Sequence, residues 1–158
     1  MAGVAGTAPI EKYRLNQRLQ RLAEASDPLN LLLSMLARRA DKLEVSAVRA
    51  DLAGLIVDPR LRLSGVSHPA SGLLSNAEVE AYVNARHVEA LIKDWFLIRV
   101  AAGRQPNVLL HVMEDVPQEL GLMAIATDLA ERGGVREGQA AQAIIEGLRP
   151  VWQRPGHP

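Results

Sequence analysis

Four histidines and the carboxylates near them are the residues of this chain best suited to acid–base or metal chemistry. His111 is the strongest of them. In the run Val108–Met113 it alternates onto the face opposite Val108, Leu110 and Val112, and Glu114 and Asp115 follow at once. An imidazole with two carboxylates is a donor set that a divalent metal or a small enzyme site could use. His87 falls four residues after Val83 and eight after Val79, the place of a core or edge histidine on an apolar stripe. His68 precedes a proline in a loop and His157 lies near the C-terminal end. No two histidines have the His-Glu-x-x-His spacing of a helical zinc site. The chain has no cysteine, so disulfides, thiolate ligands and cysteine nucleophiles are excluded. The sequence therefore defines no catalytic residue, no cofactor-binding residue and no metal-ligand set, and a non-enzymatic protein is expected.

Two further stretches carry polar groups in compact patterns. Ser64 to Gly72 is rich in small residues and could fold into an anion-binding nest, but it lacks the Lys-Ser/Thr ending of a P-loop and the G-x-G-x-x-G pattern. A tight turn between strand and helix is the expected reading. Asp128 and Arg132 stand four residues apart with the acid first, the spacing of an ion pair on a helix surface. Glu78, Glu80 and Glu89 read as the solvated face of another helix. Basic residues are the remaining candidates. Arg14, Arg18 and Arg21 run beside a leucine stripe, Arg38, Arg39 and Lys42 cluster near a helix end, and Arg49 lies on the next helix. They are the expected DNA- or partner-binding residues.

Lysine plus arginine equals aspartate plus glutamate at 18 each, so no overall field attracts a polyanion. The halves differ: residues 1–62 hold 10 basic and 7 acidic side chains, residues 63–158 hold 8 and 11. The basic half would be the one turned toward an anion. Aromatic residues are only 3 %, so the interior must be packed by interdigitating aliphatic side chains. No apolar run reaches the roughly 18 residues of a membrane span, and the N-terminus lacks the pattern of a signal peptide. A cytoplasmic protein without membrane contact is expected.

The elements that must position these residues follow from periodicity. Residues 1–9 are rich in Gly, Ala and Pro and are expected to be disordered. Leu15, Leu19 and Leu22 share a helical stripe; Asp27-Pro28 opens a second helix whose stripe is Leu29, Leu32, Leu33, Leu36, Ala40 and Leu43. Ser46 can cap a third helix burying Val48, Leu52, Leu55 and Ile56. Arg60–Leu63 alternates as a short strand. Ser75 or Asn76 caps a fourth helix, running to about Lys93, with Val79, Val83, Ala90 and Leu91 inward. Trp95–Val100 and Val108–Met113 read as an antiparallel hairpin. Pro117 opens a helix with Leu122, Ile125, Ala126 and Leu129 inward, Gly133-Gly134 stops it, and a last helix buries Ala141, Ile144, Ile145 and Leu148 before Pro150. About six helices and three short strands give an α+β fold: a mostly helical single domain with a short antiparallel sheet. Its parts are a basic N-terminal half (10–62), an α+β C-terminal module (63–149) and a flexible tail (150–158).

The strand N-V-L-L-H-V, the helix ending T-D-L-A-E-R-G-G and the following V-R-E-G-Q-A-A-Q-A-I-I together resemble the C-terminal pattern of AbiEi-type (abortive-infection) antitoxins. Related bacterial winged-helix regulators that accompany nucleotidyltransferase toxins share it. The resemblance extends upstream through Leu63-Ser-Gly, Tyr82-Val and Trp95-Phe-Leu, and covers roughly Leu61 to Leu148. It implies a DNA-binding winged helix, here in degenerate form over residues 10–62. It also implies a C-terminal module that packs, dimerises or contacts the toxin. The expected function is thus a non-enzymatic, antitoxin-like transcriptional regulator. Its partners would be a nucleotidyltransferase-like toxin, DNA and a second copy in a homodimer. Two alternatives stay open: a homo-oligomeric helical scaffold without DNA binding, using the Leu29–Leu43 stripe, and a small enzyme built around His111, Glu114 and Asp115.

Overall fold

The computed structural model describes residues 40–152, apart from 74, 102 and 103, together with Gln17 and Arg21. Of the helices expected over 10–25 and 28–43, Gln17 and Arg21 are helical and Ala40 lies in a bend; residues 10–16, 18–20 and 22–39, and with them Arg14, Arg18, Arg38 and Arg39, lie outside the described residues. The architecture is α+β. In chain order it comprises β1 (Asp41–Ser46), α1 (Leu52–Ile56), β2 (Leu61–Leu63), β3 (Val79–Asn84), α2 (Val88–Asp94), β4 (Ile98–Arg99), β5 (Val108–Met113), α3 (Leu122–Glu131) and α4 (Val135–Trp152). The five strands form one mixed sheet in the order β2-β3-β5-β1-β4, in which only β3 and β5 are parallel.

Two layers of side chains make the interior. On one face, Val45, Leu61, Val79, Ala81, Val83, Val108 and Leu110 pack against Leu52 and Leu55 of α1 and Val88 and Leu91 of α2. On the other side, α3 and α4 form an antiparallel hairpin with its own apolar seam: Ile125, Ala126, Leu129, Ala141, Ile144 and Ile145, joined by Val66. Gly133 closes the hairpin in the left-handed conformation (φ 75°), as expected for the glycine pair.

Several expectations are corrected. Residues 41–46 are a strand, so Lys42 and Leu43 do not end a helix; Leu43 and Val45 alternate with exposed Lys42 and Glu44, and Leu43 packs on the sheet core. Leu43 therefore does not belong to the expected scaffold stripe. Val48 is exposed rather than inward, and a 3-10 turn over Arg49–Asp51 leads into α1 without a capping side chain. Residues 79–84 are strand, not helix. Val79 and Val83 satisfy both readings, because a spacing of four keeps two residues on one face of a helix and of a strand alike. Helix α2 begins only at Val88, and Ala90 is exposed. No hairpin joins residues 95–100 to 108–113: β4 pairs with β1, and β5 is inserted between β1 and β3. Helix α3 starts at Leu122 rather than Pro117, leaving Leu122 partly exposed, and α4 continues through Pro150.

The turn from α2 into β4 ends the helix at Asp94, one residue past the expected Lys93. Leu97 N–H donates to the Ile92 carbonyl (2.9 Å) and Phe96 N–H to that of Lys93 (3.4 Å). This is a Schellman stop, with Phe96 at the left-handed position (φ 50°) that glycine ordinarily occupies. No glycine marked it in the sequence.

A polar clamp ties α1 to α2. The Asp58 carboxylate accepts from Arg60 N–H and Nε through one oxygen (2.9 and 3.0 Å). Its other oxygen accepts from Arg60 Nη2 and Trp95 Nε1 (2.8 Å each). Arg60 reaches on to Asp94 (2.8 Å). The Arg60 fork, helped by Trp95, holds the Asp58 carboxyl well below the ordinary aspartate value of 3.8, outweighing the opposite effect of burial. The folded value being the lower one, this stabilisation is present above the unfolded value and is lost as pH falls through the folded one. Asp58→Asn should cost about 1–3 kcal/mol at neutral pH and flatten the acid limb of stability. Urea unfolding at pH 7 and pH 3 checks this; an unchanged acid limb would assign it to other carboxylates.

Candidate functional site

The seam between the sheet and α3 is polar where an apolar contact would be ordinary. Strand β3 buries both faces, so the residues alternating with Val79, Ala81 and Val83 have no route to water: Glu80 is 0 % exposed and Tyr82 1 %. The parallel register sets Tyr82 beside His111 of β5, and their rings stack at 4.6 Å. From α3, Asp128 points into the same space and is 1 % exposed.

These groups converge. His111 Nε2 lies 3.0 Å from Glu80 Oε1 and 3.6 Å from Asp128 Oδ1. Tyr82 Oη donates to Asp128 Oδ1 (3.2 Å), and Ser64 Oγ donates to Asp128 Oδ2. Glu80 Oε2 accepts from Arg132 Nη1 (3.0 Å) and from Val66 N–H (3.3 Å). Arg132 turns its other nitrogen to Glu78 (2.8 Å), on the rim. Two buried carboxylates are thus offset by one arginine and by neutral donors, with His111 between them, as burial of charge requires.

The small-residue loop proves to be part of this centre. It connects β2 to β3 through two 3-10 turns. Gly65 adopts φ 50°, and a Cβ there would stand 1.9 Å from Glu80 Oε2. Glycine is what allows the Val66 N–H to reach the carboxylate. The turn therefore does receive an anionic group, but one from within the chain, the Glu80 carboxylate. Ser67 Oγ accepts from Glu80 N–H (2.8 Å) and fixes the same strand.

Of the residues singled out in the sequence, His111 belongs to this centre. Its expected companions do not: Glu114 and Asp115 are exposed beyond the end of β5. Glu80 is not on a solvated face but at the heart of the seam. Asp128 and Arg132 do not pair on the α3 surface, because Asp128 faces the sheet and Arg132 reaches Glu80 and Glu78. Glu89 stays outside and pairs with Arg99 (2.7 Å). His68 sits at its loop turn, its Nδ1 accepting from Ala70 N–H (3.0 Å), and burial pushes its pKa down. His87 ends a 3-10 turn, half-buried. Among the described basic residues, Arg21 is helical and exposed, Arg49 is exposed, and Lys42 on β1 pairs with Glu131 (2.8 Å). Glu80 and Asp128 were the residues missed. A single acid inside the apolar run V-E-A-Y-V was the available signal for Glu80.

A cleft of about 380 Å³ opens beside the seam. Its lining holds five carboxylates (Glu44, Glu78, Glu80, Asp128, Glu131) against two basic groups, Lys42 and Arg132, with His111 at its inner wall. The cleft is acidic.

No protein-family model, curated protein or solved structure matches the chain. The site must be argued from its own geometry.

Two glycines with the same handedness separate conformational from contact effects. Gly72 has φ 66° and open space around it; Gly65 has φ 50° and the Glu80 carboxylate against it. Gly72→Ala should cost about 1–2 kcal/mol, the ordinary penalty of a left-handed alanine. Gly65→Ala should exceed it by at least about 1–2 kcal/mol, because the loop must leave a buried carboxylate under-bonded. Chemical denaturation of the two variants measures the difference, and equal losses would remove the loop from the Glu80 site.

Proposed function

We propose that this chain is a non-enzymatic, antitoxin-like regulator that acts by binding a partner protein through the β4 end of its sheet. The observation that carries the reading is Phe96. It is 80 % exposed and held at φ 50°, a conformation that costs a non-glycine residue about 1–2 kcal/mol. A large apolar side chain displayed on strained backbone, where glycine would relieve the strain, is a mark of a functional position. Ile98, two residues on, is 69 % exposed on β4, and Val48, just past the paired end of β1, is 61 % exposed. Among the described residues no strand pairs the outer side of β4, which leaves backbone groups open to an added strand.

The resemblance to AbiEi-type antitoxins supplies the kind of partner, a nucleotidyltransferase-like toxin, and assigns DNA to the basic N-terminal segment. Arg21 and Arg49 are the exposed basic residues that such DNA contacts would draw on; Lys42, paired with Glu131, belongs to the cleft instead. The competing reading, a homo-oligomeric scaffold, draws on the same exposed residues with a second copy as occupant.

Phe96→Gly separates function from folding. It should stabilise the isolated chain by about 0.5–1 kcal/mol, by removing the left-handed strain. With Ile98→Asp added, co-purification of a stoichiometric partner from the native operon should fall at least tenfold. A wild-type chain that purifies as a homo-oligomer, dissociated by the same pair of substitutions, would favour the scaffold. Partner capture unaffected by both changes would overturn the β4 interface.

A further inference from the structure

The geometry points to Glu80, His111 and Asp128 as a binding site for one divalent transition-metal ion of the zinc or manganese class, which would lock the α3–α4 hairpin onto the sheet. The three side chains come from β3, β5 and α3, and one donor atom from each lies within 4.8 Å of the others. Four-coordinate zinc with nitrogen and oxygen ligands at about 2.1 Å sets its donors about 3.4 Å apart. The observed separations bracket that value: 3.0 Å from His111 Nε2 to Glu80 Oε1, and 3.6 Å to Asp128 Oδ1. One imidazole with two carboxylates and no thiolate suits zinc and manganese rather than copper(I) or an iron–sulfur cluster.

The outer groups are arranged as a metal site requires. Arg132 and Val66 N–H hold Glu80 through Oε2, and Ser64 holds Asp128 through Oδ2. Glu80 thus keeps Oε1 for Nε2; Asp128 Oδ1, which also accepts from Tyr82 Oη (3.2 Å), is the oxygen nearer Nε2 on its side. Such outer contacts fix ligand direction before an ion arrives. The three side chains are closed to water, but they lie directly behind a cleft. This is the acidic cleft, whose excess of carboxylates concentrates cations near them. Glu114 and Asp115, the acids adjacent to His111 in sequence, take no part; the ligands come from 31 residues before it and 17 after.

The test uses the tag-free full chain, stripped with EDTA, exposed to Zn²⁺ or Mn²⁺ and passed through gel filtration. Elemental analysis should find one ion per chain for one of the two metals. The melting temperature should rise by several degrees with the metal and fall back with EDTA. His111→Gln should retain less than a tenth of an equivalent, whereas His87→Gln retains the full amount. Less than a tenth of an equivalent on the wild-type chain with both metals, or full retention by a folded His111→Gln variant, overturns the proposal. If His111→Gln does not fold, X-ray absorption on the metal-loaded wild-type chain decides. A first shell of one imidazole nitrogen with oxygens supports the site; no imidazole, or two, refutes it. None of these readings depends on the β4 edge or on a partner protein.

Discussion

The buried carboxylate of Glu80 is the constraint around which the rest of the structure is arranged. A central strand covered on both sides offers its side chains no water, and an acid placed there must find its partners inside the protein. Arg132 comes from the end of α3, the Val66 N–H from the turn after β2, and His111 from the neighbouring strand. Three segments far apart in the chain are thereby fixed to one side chain. The Gly65 turn has to approach closely, α3 has to end where Arg132 can reach back, and β5 has to sit parallel to β3 in the register that sets His111 beside Tyr82.

This arrangement divides the molecule into an apolar half and a polar seam. The face holding Val45, Leu55, Leu91 and Leu110 is an ordinary aliphatic core, tolerant of exchange so long as volume is kept. The hairpin of α3 and α4 has its own apolar seam but meets the sheet through Asp128, Ser64, Tyr82 and Arg132. Polar contacts of this kind fix geometry more sharply than they add stability, since each must match a partner in direction as well as distance. A seam built so sharply is also what makes a metal centre conceivable there, while the exposed Phe96 and Ile98 lie at the far edge of the sheet, beyond β1. The two candidate sites are separate in residues and in chemistry.

What the sequence revealed follows from period. The α3–α4 hairpin, its glycine stop and its buried residues Ile125, Ala126, Leu129, Ala141 and Ile145 were legible, because long amphipathic helices repeat one signal many times. So was β5, where His111 was assigned to the correct face. β3 was read as helix because Val79 and Val83 fit both periods, and only Ala81 and the burial of Glu80 decide between them. The hairpin expected between residues 95 and 113 failed on topology, which local pattern does not encode: β5 joins β1 and β3 instead. Asp128 looked like a surface ion-pair partner since helical spacing says which residues neighbour one another, not which way the helix is turned.

Amide hydrogen exchange on Arg132→Met tests most directly whether the Glu80 seam holds the helical hairpin to the sheet. Removing one member of a buried ion pair leaves an uncompensated charge, at a cost of about 3–5 kcal/mol. Amides of α3 and α4 should then lose protection by at least tenfold, ahead of those in β1 and β5, whose apolar packing is untouched. Unchanged protection across α3 and α4 would contradict the account, and would make the apolar contacts of Val66 and the hairpin core sufficient on their own.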